Sequence, residues 1–169
     1  MTAPFTIERL STLHERKTFA SGVDALDRYF LERVTQDIRR RLTTCFVAVD
    51  STSQRVAGYY TIAATSVPLT DLAPEIGKKL PRYPLVPAVR LGRLAVDAAY
   101  RGRRLGSAML WDATARTIRS DISAFAVVVD AKDNAAVAFY EHHGFLPCAS
   151  LPTSLYLPLA EAERWLRDP

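Results

Sequence analysis

Metal-binding and disulfide patterns are missing from this sequence of 169 residues. Its two cysteines, Cys45 and Cys148, lie far apart, and its three histidines, His14, His142 and His143, form no Cys/His cluster. This distribution gives no metal-ligand spacing and no disulfide framework. We therefore expect no metal and a reducing, cytoplasmic setting.

Long apolar runs, internal repeats and low-complexity segments are also absent. No stretch is long enough to cross a bilayer, and no basic segment followed by an apolar run marks a secretory signal, so we expect no membrane contact. With 49% apolar and 24% charged residues, the composition excludes a disordered chain. We expect one domain over residues 1–169. The net charge of +4 permits an anionic partner without requiring one.

Hydrophobic periodicity predicts the order strand, helix, hairpin, proline-rich segment, strand, helix, apolar strand, short helix and strand. The first helix is predicted to be long, with one apolar face: Val23, Leu26, Phe30, Val34 and Ile38. The second begins at Leu105, with its own predicted apolar face: Leu105, Ala108, Trp111, Ala115 and Ile118. This order indicates an α/β chain with one mixed sheet and helices on both faces.

A proline-rich segment, Val67–Pro87, interrupts this pattern. Its prolines exclude a central strand, and Pro74 suits the first turn of a short helix that ends near Leu80. Long connections of this kind are often functional. We interpret the segment as a wall of a substrate site, with a plain surface loop as the alternative.

The stretch Leu91–Leu110 predicts a strand, a turn over Tyr100–Gly106 and a helix from Leu105. A helix start directs unpaired N–H groups and the positive end of the helix dipole at one spot. Glycines and arginines in the turn favour an anion further: Gly102, Gly106, Arg101, Arg103 and Arg104. We expect a phosphate or pyrophosphate site. An ordinary strand-to-helix connection remains the alternative, because P-loop and dinucleotide-fold spacings are missing.

A second motif, Asn134–Phe145, follows the apolar strand at 124–129. Together the two motifs resemble the GNAT superfamily of acetyl-CoA-dependent N-acetyltransferases. The first motif there has the form Arg/Gln-x-x-Gly-x-Gly/Ala. Arg101 and Gly106 match its outer positions, and Arg104 stands where the middle glycine is usual. The second motif matches at Asn134, Val137 (often alanine in the family), Phe139, Tyr140, Gly144 and Phe145.

The resemblance implies the GNAT fold, with a central mixed, mostly antiparallel sheet flanked by helices on both faces, and acetyl-CoA as co-substrate. It implies that backbone groups of Leu94, Ala95 and Val96 pair with the pantetheine amides and polarise the acetyl carbonyl. It assigns the pyrophosphate to the turn: Arg101, Gly102, Arg103, Arg104, Leu105, Gly106 and Ser107. Asn134, a good helix N-cap, is a further candidate coenzyme contact.

Tyr140 is the candidate general acid, since the resemblance implies that it lies beside the coenzyme sulfur. A phenol has a pKa of about 10, above that of a thiol, so it stays protonated at neutral pH and can donate to a thiolate. From the residues alone, Tyr140 is better interpreted as a core aromatic beside Phe139. Phe139 and Phe145 are assigned to packing.

No general base is marked out by spacing among the available side chains, which are Asp97, Asp130, Glu141, His142 and His143. This favours an acceptor amine that is already partly neutral. An α-amine has a pKa of about 8 against about 10.4 for lysine, a difference of roughly 3 kcal/mol in deprotonation. An α-amino acceptor therefore needs a dedicated base less.

Three segments, Phe19–Phe30, Gly58–Tyr60 and Leu91–Asp97, resemble one branch of the superfamily, the TacT-type toxins of toxin–antitoxin pairs. That resemblance implies acetylation of the α-amine of aminoacyl-tRNA and a block of translation. It also implies a homodimer and a ribbon-helix-helix antitoxin, with operator DNA bound by the toxin–antitoxin complex.

Basic residues are available for tRNA phosphates. The candidates are Lys78, Lys79, Arg82, Arg90 and Arg93, with the run Arg39–Arg41 as a further possibility. Two other functions remain open. One is acetylation of a small-molecule amine or a protein N-terminus. The other is a CoA-binding or antitoxin-binding module without turnover, which only Arg104 in place of glycine favours.

Overall fold

Seven strands and six α-helices form the regular structure of residues 3–168, the part of the chain that the computed structural model describes. The strands are β1 (Phe5–Arg9), β2 (Thr44–Asp50), β3 (Val56–Pro68), β4 (Leu85–Val96), β5 (Ala126–Asp130), β6 (Leu146–Pro147) and β7 (Ser154–Pro158). The helices are α1 (Asp24–Glu32), α2 (Val34–Arg39), α3 (Pro74–Gly77), α4 (Leu105–Arg119), α5 (Asn134–His142) and α6 (Leu159–Arg167). Short 3-10 turns cover Leu69–Asp71 and Ala98–Tyr100.

The strands are hydrogen-bonded in the order β1-β2-β3-β4-β5-β7-β6. β1 pairs with β2, β2 with β3, β5 with β7 and β6 with β7, all antiparallel. β4 and β5 are parallel, from Ala88 opposite Ala126 to Leu91 opposite Val129. The predicted mixed, mostly antiparallel sheet is therefore confirmed. β6 was not predicted, because two residues carry no periodicity.

The chain divides into two compact units, each with its own core. The first contains residues 3–63 and 92–113. Its core centres on Tyr59, whose ring stacks on Phe30 with centroids 4.2 Å apart, with Phe19 edge-on at 5.5 Å. The Tyr59 hydroxyl donates to the Leu26 carbonyl at 2.6 Å, so this buried phenol keeps a partner, as buried polar groups must.

The second unit contains residues 64–91 and 114–168. Its core includes Tyr156, which is fully buried among apolar side chains: Val67, Leu72, Val86, Ala88, Ala126, Val128 and Cys148. The Tyr156 hydroxyl accepts the Ala73 N–H at 2.7 Å, which ties the start of α3 to β7. Pro74 is the first residue of α3, where its missing N–H costs nothing.

The first helix is shorter than predicted. Instead of one long helix, α1 and α2 are separated at Arg33, whose φ of −121° and ψ of −30° break the helix. The break keeps Val34 fully buried and brings Asp37 within 2.8 Å of the Tyr29 hydroxyl, which donates to it. Neither proline nor glycine occurs in this stretch, so no helix-breaking residue predicts the break from the sequence.

The buried face of α4 also differs from the predicted one. Ala108 is exposed, and Trp111, Ala115 and Ile118 are only half-buried. The buried positions are Leu105, Met109, Leu110, Ala113, Thr114 and Thr117. The predicted face omitted Met109 and Leu110, although both are apolar, as well as the two buried threonines. A spacing of three and four residues fits either face, and packing decides which one is buried.

Both cysteines are buried free thiols. Burial raises the pKa of Cys45 to about 12 and that of Cys148 to about 11, so both stay protonated and unreactive at neutral pH. Within residues 3–168, no group of three or more His, Cys, Asp or Glu side chains could hold a metal ion. None of the helices described there is long and apolar enough to cross a membrane.

Gly58 in β3 is required by close packing, and this is testable. A Cβ added there would lie 2.9 Å from the Ala95 carbonyl oxygen and 2.7 Å from Met109 Cε. We expect Gly58→Ala to destabilise the protein by about 1–3 kcal/mol, as overpacking does, in urea unfolding. Gly77→Ala is the matched control, since its nearest neighbour would be at 3.6 Å. Equal unfolding midpoints for the two variants would contradict this account.

Candidate active site

The predicted strand, turn and helix are present in the first unit. β4 ends at Val96, and the first backbone bond of α4 runs from the Ala108 N–H to the Arg104 carbonyl at 3.1 Å. The amides of Leu105 and Gly106 precede that bond and belong to the helix start, where backbone donors point outward. The turn residues 101–104 are exposed. A Cβ at Gly102, whose φ is +78°, would meet nothing within 4 Å, so the turn is open to a ligand.

Arg104 adopts the backbone conformation for which glycine is usual. Its φ is +59°, in the left-handed region that costs a non-glycine residue about 1–2 kcal/mol. Arg104 therefore adopts the left-handed backbone that a glycine at this position would adopt without that cost. Such a turn suits an anion, because a helix N-terminus and an adjacent left-handed residue both present N–H groups.

Arg101 holds the segment before α1. Its guanidinium donates to the Ser21 carbonyl oxygen, and a Cβ on Gly22 would lie 2.7 Å from Arg101 Nη2. The Ala98 N–H donates to the Ala20 carbonyl at 2.9 Å. In this structure Arg101 thus positions the chain around the turn, a role that the sequence analysis did not foresee.

Asp97 completes this attachment. Its buried carboxylate accepts the Ala20 N–H at 3.0 Å and the Ala99 N–H at 2.9 Å, while its own N–H donates to the Ala57 carbonyl at 2.8 Å. Buried carboxylates are retained where such donors satisfy them. The end of β4, the turn and the chain before α1 therefore have one fixed geometry.

Aromatic rings support Arg103 beside the turn. Its guanidinium lies 4.8 Å from the centroid of the Phe5 ring and 5.6 Å from that of Tyr100. The Tyr100 hydroxyl donates to Asp50 at 2.7 Å. This hydrogen bond is the main reason that the pKa of Asp50 falls to about 2. The rings of Phe5 and Tyr100 thereby support the Arg103 side chain, whose charge is exposed.

The three candidate residues of β4 lie just before the turn. Ala95 is buried, and Leu94 and Val96 are half-buried. The carbonyl of Ala95 is the group that a side chain at position 58 would strike, so Gly58 sets how closely β3 approaches this backbone.

Tyr140 belongs to α5 in the second unit. Its ring lies edge-on to Phe139 at 5.2 Å and is tilted against Phe145 at 5.4 Å. Burial raises its pKa to about 12. Within residues 3–168 its hydroxyl has no hydrogen-bond partner. Every side-chain oxygen there that is fully enclosed does have a partner, so the Tyr140 oxygen is not fully enclosed. The ring is therefore packed while the hydroxyl oxygen reaches solvent.

The end of α5 is as predicted, and its start is not. Gly144 follows the helix with a φ of +90°, as the residue past a helix end often does. The N-cap is Asp133, whose side chain accepts the Ala136 N–H at 2.8 Å; Asn134, expected as the cap, is the first helical residue. Both residue types cap well, and the carboxylate is also favoured by the helix dipole. Asn134 is exposed and stays a candidate coenzyme contact.

Several candidate bases have structural partners. Asp97 accepts two backbone donors as described. Asp130 pairs with Arg90 and accepts the Ser154 hydroxyl at 2.5 Å. Nδ1 of His143 lies 2.7 Å from the Phe139 carbonyl oxygen. These partners hold the groups in place and leave none of the three marked out as a base.

The basic candidates do not form one set. Lys78 and Arg82 line one groove of about 670 Å³ in the second unit, next to the exposed Tyr83, and Lys79 is exposed nearby in sequence. Arg90 is engaged by Asp130. Arg93 lies in the first unit, over the ring of Tyr29.

Sequence reasoning missed the surroundings of Arg93. Arg28, Arg33 and Tyr29 line the same cavity, and none of them was singled out. No spacing rule connects α1 with β4, because their approach is a property of the tertiary fold.

Comparison with known proteins agrees with this geometry. The model of the Acetyltransferase (GNAT) family matches residues 7–145. A tRNA-acetylating toxin of Mycobacterium tuberculosis is 33% identical over 162 residues, 95% of this chain and 95% of the relative. AtaT complexed with acetyl-methionyl-tRNAfMet has a TM-score of 0.85 at 24% identity, covering 96% of this chain and 99% of that chain.

A mutant AtaT toxin bound to the C-terminus of the antitoxin AtaR and acetyl-CoA has a TM-score of 0.77 at 22% identity, covering 97% of this chain and 99% of that chain. At these identities the two solved structures establish the fold. Because the family model matches most of its length, this chain belongs to the GNAT acetyltransferase family.

Proposed function

We propose that this acetyltransferase is a toxin that acetylates the α-amine of aminoacyl-tRNA and so blocks translation. The observation that carries the proposal is the 33% identity, over 95% of the chain, with a toxin that acetylates tRNA. An aminoacyl-tRNA presents an α-amine, which is easier to deprotonate than a lysine amine. That agrees with a chain in which no general base stands out.

Acetyl-CoA is the co-substrate, and it supplies an acetyl group activated as a thioester. The exposed turn 101–104 and the start of α4 would hold its pyrophosphate. Backbone groups of Leu94, Ala95 and Val96 would pair with its amides and polarise the acetyl carbonyl. Arg103 and Arg104 add positive charge beside the turn, and Asn134 is a further candidate contact.

Tyr140 would protonate the departing thiolate. Its phenol is kept neutral by burial, so at neutral pH the proton is present at Oη and can be donated to the sulfur as the C–S bond of the thioester breaks. Phe139 and Phe145 fix the ring, which limits the positions that the hydroxyl can take.

The proposed partners follow from the same relatives. AtaT has been solved with the C-terminus of its antitoxin, which supports an antitoxin for this chain. We propose that this antitoxin is of the ribbon-helix-helix type, that the complex binds operator DNA, that the toxin is a homodimer and that it acts in the cytoplasm.

Replacing Tyr140 by Phe tests the general acid. We expect Tyr140→Phe to lower kcat by about 10²–10⁴-fold, the usual range for a lost acid, with little change in KM for acetyl-CoA. The assay is transfer of radiolabelled acetyl to charged tRNA, and prior deacylation of the tRNA should abolish labelling. Thermal melting of Tyr140→Phe, which should match that of the wild type because only a hydroxyl is removed, is the control for folding. Equal labelling by Tyr140→Phe and wild type would remove Tyr140 from the mechanism.

The pH profile gives an independent test of the same residue. An acid is functional below its pKa, and that of Tyr140 is about 12. We therefore expect kcat of the wild type to show no alkaline decline from about pH 7 to 9.5, where an ordinary thiol acid would already titrate. A decline in that interval that persists in Tyr140→Phe would assign the acid to another group.

The basic residues of the proline-rich segment are the next test. Replacing Lys78, Lys79 and Arg82 together by alanine should raise KM for charged tRNA and flatten its salt dependence, since each lost phosphate contact removes about one unit of slope. Alanine at three exposed basic residues elsewhere (Arg9, Lys17 and Arg167) is the matched control. Unchanged tRNA acetylation at both low and high salt would exclude the segment from tRNA binding.

A further inference from the structure

Three arginines surround one cavity in the first unit, and the established family activity does not explain them. The cavity measures about 390 Å³ and is lined by Arg28, Arg33 and Arg93 together with Tyr29 and Asp24. We name Arg28, Arg33 and Arg93 the α1 arginine cluster. Arg28 lies within α1, Arg33 caps its end and Arg93 comes from β4, so the cluster exists only in the folded chain.

Tyr29 provides a fixed platform for Arg93. The guanidinium carbon of Arg93 lies 3.4 Å from the centroid of the Tyr29 ring, a stacked cation–π geometry. The Tyr29 hydroxyl donates to Asp37, and the residue is buried. A guanidinium stacked in this way keeps its N–H donors at the edge, where they can form a bidentate pair with a phosphate or carboxylate.

The charge of the cluster is only partly neutralised. Asp24 is the carboxylate in its lining, and it pairs with Arg28 at 3.2 Å. Within residues 3–168, the side chain of Arg33 has no hydrogen bond or ion pair, and Arg93 has no carboxylate partner. Arg33 stands at the break between α1 and α2, so the irregular backbone there places a free guanidinium at the cavity. The cavity thus has an excess of two positive charges.

We propose that the α1 arginine cluster binds backbone phosphates of the RNA substrate. The stacked guanidinium of Arg93 suits phosphoryl oxygens, and uncompensated arginines release counterions when phosphates replace them. The cluster lies in the unit that also carries the turn. Because the turn is already proposed to bind the phosphates of acetyl-CoA, the cluster is left for other phosphates. This inference rests on the proposed function, since it takes the phosphates from the tRNA.

Two substitutions separate the contributions of charge and shape. Arg33→Ala removes an exposed charge that makes no internal contact, and Arg93→Lys keeps the charge but loses the planar fork. The control is Arg9→Ala, an exposed arginine whose guanidinium lies 5.9 Å from the Phe46 ring centroid, outside the cluster. Thermal melting of each variant monitors folding. If Arg93→Lys is unstable, Arg33→Ala alone still tests the inference.

The measurement is binding of deacylated tRNA by fluorescence anisotropy between about 50 and 200 mM salt. We expect Arg33→Ala to weaken binding about tenfold at low salt and to reduce the slope of log K against log salt by about one. Arg93→Lys should weaken binding several-fold with the slope unchanged. Arg9→Ala should match the wild type.

Acetylation assays and antitoxin binding distinguish the other sources of an anion. Wild-type affinity and slope in both cluster variants would overturn the inference. So would a rise in KM for acetyl-CoA alone, which would assign the cluster to a coenzyme phosphate, or weaker antitoxin binding alone, which would assign it to an acidic peptide. If the wild type binds tRNA through the cluster but never acetylates it, the proposed function fails while the phosphate site stands.

Discussion

The buried carboxylate of Asp97 is the constraint on which the first unit depends. It accepts backbone donors from Ala20 and Ala99, so it joins the chain before α1 to the start of the turn. Arg101 reinforces the joint through the Ser21 carbonyl. An unpaired carboxylate in this position would be expensive to bury, so the two donors and the carboxylate depend on one another. The start of the turn and the chain before α1 are therefore held together as one structural feature.

The hydrogen bonds of Asp97 also fix the relative positions of the turn, proposed to bind acetyl-CoA, and of Arg93, proposed to bind RNA. Arg103 and Arg104 extend from the turn, and Arg93 lies a few residues earlier on β4, over Tyr29 of α1. A backbone held at Asp97 fixes the start of the turn, and the position of α1 fixes the platform of Arg93. Tyr140 is organised differently, by aromatic packing within the second unit. Its neutral phenol follows from burial, which disfavours the charged form.

Much of this fold was readable from local patterns, since alternation, apolar runs and turn residues are local properties. The mixed sheet, α3 at Pro74 and Gly144 after α5 were predicted correctly. The break at Arg33, the buried face of α4 and the cap at Asp133 were not. Arg33 has no helix-breaking residue beside it, α4 has apolar residues at two alternative sets of positions, and Asp133 and Asn134 are both good caps. In each case the competing local choices differ by about 1 kcal/mol or less, and packing decides between them.

The sequence by itself determined the family, through the turn at 101–107 and the motif at 134–145, because both are contiguous and their chemistry depends on residue order. Only the tertiary structure decided what single side chains do. It gave Arg104 a left-handed backbone in place of glycine, turned Arg101 towards Ser21 and paired Arg90 with Asp130. It also gathered Arg28, Arg33 and Arg93 around Tyr29. These contacts join residues far apart in the chain, and spacing along a sequence carries no information about which distant groups will meet.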